Sequence, residues 1–404
     1  MTAHPPTVVP PSWQRTKELR AQRAQRKPFL SFVLPQATRI TDDGFRALDE
    51  HKYRPGPYTP LDLFLYRTWW KPFSEFLPRW LAPNALTLIG MSVVVSSAAL
   101  LVVCSPSLVS TTPAWGELLT AFLLIVYQTC DACDGLQARR TGASSPLGEL
   151  LDHGCDGVTL SAITIGHCVS AQYGLTPLTL CALCVSWVPW WVAQWEAYHT
   201  GVVRTGSAVF GVTEIQLIVA GIHVVTAVFG NALWSLPLVG SFEFRVLCIG
   251  AQLIVAGGLS VLSVIEVVKT TKSFGELAAA GKRALPLVVL VGVTFAWSVV
   301  GPDLHVRAVC AATCALFTRI ASELVVCVMT LEPYPRLQPT ILLLPCFLVL
   351  AMLGVLEGPA GGAALWVYAA YCIFDAFAYV VDVLIEISTH LGVSIFFITP
   401  KKEE

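Results

Sequence analysis

Charge is scarce in this sequence: only 26 Lys and Arg and 27 Asp and Glu are spread over 404 residues, 13% of the chain, against 55% hydrophobic residues. With a mean hydropathy of +0.65, that scarcity excludes an ordinary soluble globular protein and leaves an integral membrane protein. No cleavable signal peptide is visible either. The opening "MTAHPPTVVPPSWQRTKELRAQRAQRK" is proline-rich and then basic, without the apolar stretch such a peptide needs. No solenoid or inverted repeat is evident, which argues against repeat architectures. Cysteine is not scarce, at 13 residues. It is scattered through apolar runs such as "CALC" at 181–184, which suits small buried residues better than a disulfide framework or a metal site.

What the sequence has instead is apolar runs. A spanning helix needs roughly 20 such residues, and about ten candidates follow one another near 84–106, 117–139, 150–172, 175–196, 207–230, 245–268, 284–301, 307–330, 339–357 and 362–390. The fold class expected is therefore all-α, a polytopic membrane domain over residues 84–396. Of the 26 Lys and Arg, 13 lie between Arg15 and Arg79, which predicts a cytosolic N-terminus. With ten crossings, the even connections carry Arg139, Arg140, Arg204, Lys269, Lys272, Lys282, Arg283 and Arg336, and the tail carries Lys401 and Lys402. Both termini are then expected in the cytosol. Residues 1–44 read as a disordered basic arm, 45–83 as an interfacial amphipathic segment, and 397–404 as a cytosolic tail. For "LDLFLYRTWWKPFSEFLPRWLAPN", residues 61–84, an amphipathic helix packed on the membrane domain stays open beside the interfacial one.

Against this apolar background, "DACDGLQARRTGASSPLGELLDHGCDG", residues 131–157, concentrates charge. Asp131 and Asp134 are three apart near the end of the second run, and Asp152 and Asp156 are four apart at the start of the third. Each pair shares a helix face. The short connection makes the two helices antiparallel neighbours, so all four carboxylates can converge. Mutually repelling carboxylates in a partly dry site stay ionised only with a counter-cation between them. An all-oxygen site of this charge suits Mg²⁺ or Mn²⁺ rather than zinc, and four carboxylates can hold two ions for in-line phosphoryl transfer.

The pattern Asp131-x2-Asp134-Gly135-x2-Ala138-Arg139-x8-Gly148-x3-Asp152-x3-Asp156 resembles the signature of the CDP-alcohol phosphotransferase family. Further stretches, "WLAPNALTLIG", "SSPLGELLDHGCDG", "QWEAYHTG", "GVTEIQ" and "LVVCVMT", are similar to its eukaryotic choline and ethanolamine phosphotransferase branch. The resemblance implies a membrane enzyme that transfers phosphocholine, and phosphoethanolamine as a second donor group, from CDP-choline or CDP-ethanolamine to diacylglycerol, releasing CMP. It implies Asp131, Asp134, Asp152 and Asp156 as metal ligands, Gly135, Ala138, Arg139 and Gly148 as nucleotide-contacting or packing positions, and a homodimer in the lipid bilayer. No nucleic-acid partner is expected. A CDP-diacylglycerol-dependent phosphatidyltransferase acting on a soluble alcohol is the alternative, and an ion-coupled transporter a remoter one.

Single residues sharpen the expectation. Asn84 is either near the nucleotide or a helix N-cap. Glu214, an acid in an apolar run, either meets the head group or makes a structural contact. Trp191, Trp195 and Tyr198 read first as an aromatic belt, with cation–π contact to a quaternary ammonium as the alternative. For the base that takes the acceptor's proton, Asp156 is weakened by metal. His153 titrates in the useful range and has Glu149 four residues earlier on the same face. His153 and Glu149 could instead serve only packing and helix capping. The final "KKEE" is similar to a dilysine retrieval signal, pointing to the endoplasmic reticulum membrane, with the Golgi as the alternative.

Overall fold

The computed structural model describes residues 40–300, 305–334 and 338–398. The basic arm up to residue 39, Arg336 and the KKEE tail lie outside the described residues. All ten apolar runs are helical, and their ends follow from local chemistry. Helix α1, Asp42–Glu50, opens on the Thr41 side chain, which accepts from Gly44 N, and carries Asp42 and Asp43 in its first turn. It begins inside the arm expected to end at residue 44. A short helix α2, Pro60–Leu65, starts with a Thr59–Asp62 capping box. It runs through the π-helical turn Tyr66–Trp70 into α3, Lys71–Phe76.

The long helices are α4, Pro83–Cys104; α5, Ala114–Thr141; α6, Pro146–Ser170; α7, Pro177–Thr200; α8, Val212–Phe229; and α9, Phe244–Thr270. There follow α10, Phe274–Arg283; α11, Leu285–Val300; α12, Val306–Thr330; α13, Pro339–Met352; and α14, Gly358–Leu391. A two-stranded antiparallel ribbon, Pro237–Val239 with Phe242–Glu243, precedes α9. The chain is thus an all-α polytopic membrane protein. Helices α4, α5, α7, α8, α9 and α12 are each long and apolar enough to cross a membrane, and α10 with α11, bent by 49°, make a seventh if counted as one span. The expected ten is a larger number. Helices α6 and α14 have the length but carry acids along it, and α13 has only 14 residues.

Helix α12 is the hub. Every residue from Ala315 to Thr330 is buried, with α6, α7, α11 and α14 packed around it. At Gly157 of α6, a Cβ would come within 3.1 Å of the Thr318 Cα. The absence of a side chain there is what lets α6 lie directly on α12.

The stripe expected as an aromatic belt is part of this core. Trp191 is 0% and Trp195 7% exposed. The Trp195 indole donates to the Ala280 carbonyl and the Tyr198 hydroxyl to the Glu332 carbonyl. That face of α7 is covered by protein, so the belt reading is corrected. All 13 cysteines are free thiols, as their scatter predicted.

Candidate active site

The turn between α5 and α6 builds the site. Gly142, at φ +70°, ends α5 in the left-handed region. Ala143 N closes back on the Ala138 carbonyl at 2.9 Å, a stop that glycine makes at no steric cost. Ser145 then caps α6, its side chain accepting from Gly148 N, and Pro146 fills the first turn. The chain reverses within four residues. Asp131 and Asp134 on α5 are thereby set beside Asp152 and Asp156 on α6.

One carboxylate oxygen from each of Asp131, Asp152 and Asp156 lies within 4.8 Å of the other two. Ionised oxygens at such a separation repel by roughly 3 kcal/mol or more per pair at an effective dielectric constant near 20. Among the described residues, no Lys, Arg or His forms a salt bridge with any of the four aspartates. Three hard oxygen donors at this spacing fit a divalent cation. Asp134 stands outside the triad of converging oxygens. It is buried, and the Thr87 hydroxyl of α4 donates to its Oδ2 at 2.5 Å. The Trp190 indole of α7 donates to Asp156 Oδ2 at 3.2 Å.

The other expected residues are only partly gathered here. Asn84 is not a cap: α4 begins at Pro83 after Ala82. Its amide donates to the Ile395 carbonyl at 2.7 Å, and a Cβ on Gly148 would come within 3.4 Å of its Oδ1. Gly135 lies under the Arg139 guanidinium, 3.5 Å from where its Cβ would stand, and Arg139 itself is exposed. Ala138 supplies the carbonyl that closes the turn. Glu214 caps its own helix, accepting from Gly211 N at 2.8 Å, so its carboxylate has a local task. Arg140, half of the "RR" pair, donates to the carbonyls of Ser74, Glu75 and Leu77. With Gln137, which donates to the Pro78 and Leu81 carbonyls, it clamps the α2–α3 segment onto α5.

His153 is buried on α6, but its partner is not Glu149. Its Nδ1 lies 2.8 Å from Gln194 Nε2 of α7, while Glu149 Oε2 lies 2.8 Å from His51 Nε2. The reason is helical geometry. At i and i+4 the two side chains rise side by side, and each finds a partner presented from another element. Tyr53 completes the wall, its ring centroid 5.8 Å from that of His153. Partial burial, then the charges of Asp152 and Glu149, hold its phenol above the usual range, so it stays protonated. Next to it opens a cavity of about 390 Å³ lined by His51, Lys52, Tyr53, Glu149, Tyr198 and His199 among others.

His51, Tyr53 and Trp190 gave no sequence signal as site residues, being far from the motif in the chain, whereas Thr87 lies within the stretch "WLAPNALTLIG". Gln194 did fall within one motif, "QWEAYHTG".

The comparisons with known proteins agree with this geometry. Residues 80–256 match the family model described as CDP-alcohol phosphatidyltransferase. Choline/ethanolaminephosphotransferase 2 of Arabidopsis thaliana is 32% identical over 385 residues, covering 89% of this chain and 98% of that protein. Cholinephosphotransferase 1 of Gallus gallus is 36% identical over 205 residues, 50% of this chain and 60% of that protein. The human cholinephosphotransferase 1 is 37% identical over 194 residues, 47% of this chain and 46% of that one. A two-helix acid centre, its signature spacing and a relative aligned along nearly its whole length lead to one conclusion: this chain is a transferase and belongs to the CDP-alcohol phosphatidyltransferase family.

Proposed function

We propose that this protein transfers phosphocholine, and phosphoethanolamine as an alternative, from the CDP-linked donor to the free hydroxyl of diacylglycerol. Its site would lie in the endoplasmic reticulum membrane, with both termini cytosolic, in a homodimer. The observation that carries the reading is the convergence of Asp131, Asp152 and Asp156 without a protein counter-charge. Those three, with Asp134 beside them, would hold two Mg²⁺ or Mn²⁺ ions, whose chemistry is to neutralise the pyrophosphate and the charge that builds on the leaving CMP.

The chain's own residues do the rest. Arg139, Gly135, Ala138, Gly148 and Asn84 would receive the nucleotide along the turn. With the Gln194 amide turned so that its oxygen accepts from His153 Nδ1–H across the 2.8 Å contact, Nε2 would be the ring nitrogen left to take a proton. The acceptor oxygen attacks the phosphorus that bears the head group, the bond from that phosphorus to the CMP oxygen breaks, and the hydroxyl proton passes to His153 Nε2. Glu149, one turn earlier, stabilises the imidazolium by its charge. Glu214, whose carboxylate caps its own helix, has no part in head-group choice in this reading.

The test is purified protein in lipid nanodiscs with CDP-choline or CDP-ethanolamine, each with and without diacylglycerol. CMP release that requires diacylglycerol is expected. Release that ignores diacylglycerol but requires a soluble alcohol with CDP-diacylglycerol would replace this reading with the phosphatidyltransferase one.

A further inference from the structure

The stretch that carries His51 comes from outside the acid centre and is tied down on both sides of it. Ile40, just before α1, and Phe45 and Leu48 of α1 pack in a buried cluster with Leu147, Leu150 and Leu151 of α6, Val325 and Met329 of α12, and Val383 of α14. Polar contacts fix the same helix. Thr41 N donates to Glu332 Oε1 at 2.5 Å, and His390 Nε2 lies 2.9 Å from Asp49 Oδ1 with its ring stacked on Phe45. Beyond His51, Val203 N donates to the Arg54 carbonyl at 3.0 Å and Gly56 N to the Val203 carbonyl at 2.7 Å. His51 is therefore delivered to Glu149 from a backbone held on either side, not from a loose arm.

Glu149 needs such a partner. It lies in the first turn of α6, on a side chain with three rotatable bonds, one turn before His153. Left alone it would sample many rotamers, most of them useless for stabilising the imidazolium, and ordering it would cost side-chain entropy at every turnover. A charge-assisted bond from an imidazole that is itself only about 15% exposed removes that freedom beforehand.

We propose that His51 is a positioning residue for the transfer reaction, holding the Glu149 carboxylate where it stabilises protonated His153. The segment from Ile40 to Gly56 is then part of the catalytic centre, although 98 residues separate His51 from its partner. The inference rests on the transferase reading above and on His153 as the base.

The experiment uses the full chain in nanodiscs and compares wild type, His51→Ala, His51→Gln, Glu149→Gln and the His51→Ala/Glu149→Gln double variant. The readouts are kcat and KM for CDP-choline at saturating diacylglycerol. His51→Ala should lower kcat about tenfold to thirtyfold with KM changed less than about twofold, the pattern of a contact that matters in the transition state. His51→Gln, whose amide nitrogen can stand where the imidazole Nε2 stands, should recover to within about threefold of wild type. In the double variant the loss should match Glu149→Gln alone, because His51 acts only through that carboxylate. Wild-type kcat in His51→Ala, no recovery in His51→Gln, or losses that multiply in the double variant would each overturn the proposal. Should His51→Ala fail to fold, the recovery in His51→Gln and its dependence on Glu149 still decide. A wild-type chain that releases no CMP from either donor brings down the transferase reading itself, a separate outcome.

Discussion

Two groups of buried acids lie in this helical bundle, and they are built on opposite principles. On α12 and α14, the buried acids Glu323 and Asp375 share a cation from the chain itself. Arg319 Nη1 meets Glu323 Oε2 at 2.9 Å, its Nε lies 3.5 Å from Asp375 Oδ2, and its guanidinium sits 3.6 Å over the Tyr379 ring. Gln338 donates to Glu323, and Thr340 to Asp375 at 3.1 Å. On α5 and α6, Asp131, Asp152 and Asp156 face one another instead. The first group has its cation supplied from within, which is how charge survives in an apolar interior. The second meets no Lys, Arg or His in a salt bridge among the described residues. Acid content alone would not separate a structural centre from a reactive one; the location of the counter-charge does.

Removing the reactive acids should break the comparison most sharply. Asp131→Ala, Asp152→Ala and Asp156→Ala should each reduce diacylglycerol-dependent CMP release to background, as should excess chelator on the wild type. In chelator, Asp152→Asn should melt no lower than wild type, since it removes like-charge repulsion. Full turnover in chelator would sink the metal reading.

His153→Ala comes next. It should slow turnover by about two to four orders of magnitude, the usual worth of a positioned base, while CDP-choline binding measured by calorimetry persists. Near-normal turnover would hand the proton to Asp156 or to water.

The group with its own cation should respond the other way. Arg319→Met leaves Glu323 and Asp375 without their cation and should destabilise the fold by about 3–5 kcal/mol, read as a lower melting temperature in detergent. A variant that melts with wild type would show that the two groups are not distinct in kind.

The smallest effect is expected at Glu214. Glu214→Ala removes the bond to Gly211 N and should cost about 1 kcal/mol of stability. The ratio of choline to ethanolamine transfer should stay constant; a shifted ratio would give this acid a second role at the head group.

The legible parts of the molecule are those with a local cause. Helical segments announce themselves as apolar runs, and Asp131 with Asp134 and Asp152 with Asp156 announce themselves by three- and four-residue spacing on either side of a short turn. What the sequence hid has a physical explanation as well. Lipid and protein interior are equally apolar, so the Trp191 and Trp195 stripe could not declare which of the two it faced. Glu149 and His153 are in register on one helix, yet each is bonded to a residue from another element, His51 and Gln194. Periodicity describes a helix's faces, but tertiary packing decides what each face meets. Only half of the adjacent Arg139 and Arg140 pair is available to a ligand, and nothing in the two letters says which half.

The clamp made by Arg140 and Gln137 has a mechanical consequence. Five hydrogen bonds to main-chain carbonyls between Ser74 and Leu81, with Cys133 Sγ donating to the Trp70 carbonyl and Trp69 Nε1 to Thr129 Oγ1, weld this outer segment to the rod that bears Asp131. Phe76 and Trp80 project from it with 86% and 78% of their surface uncovered. A force applied to the outer segment is thus carried into α5, and with it to the carboxylate of Asp131, without a flexible joint between them.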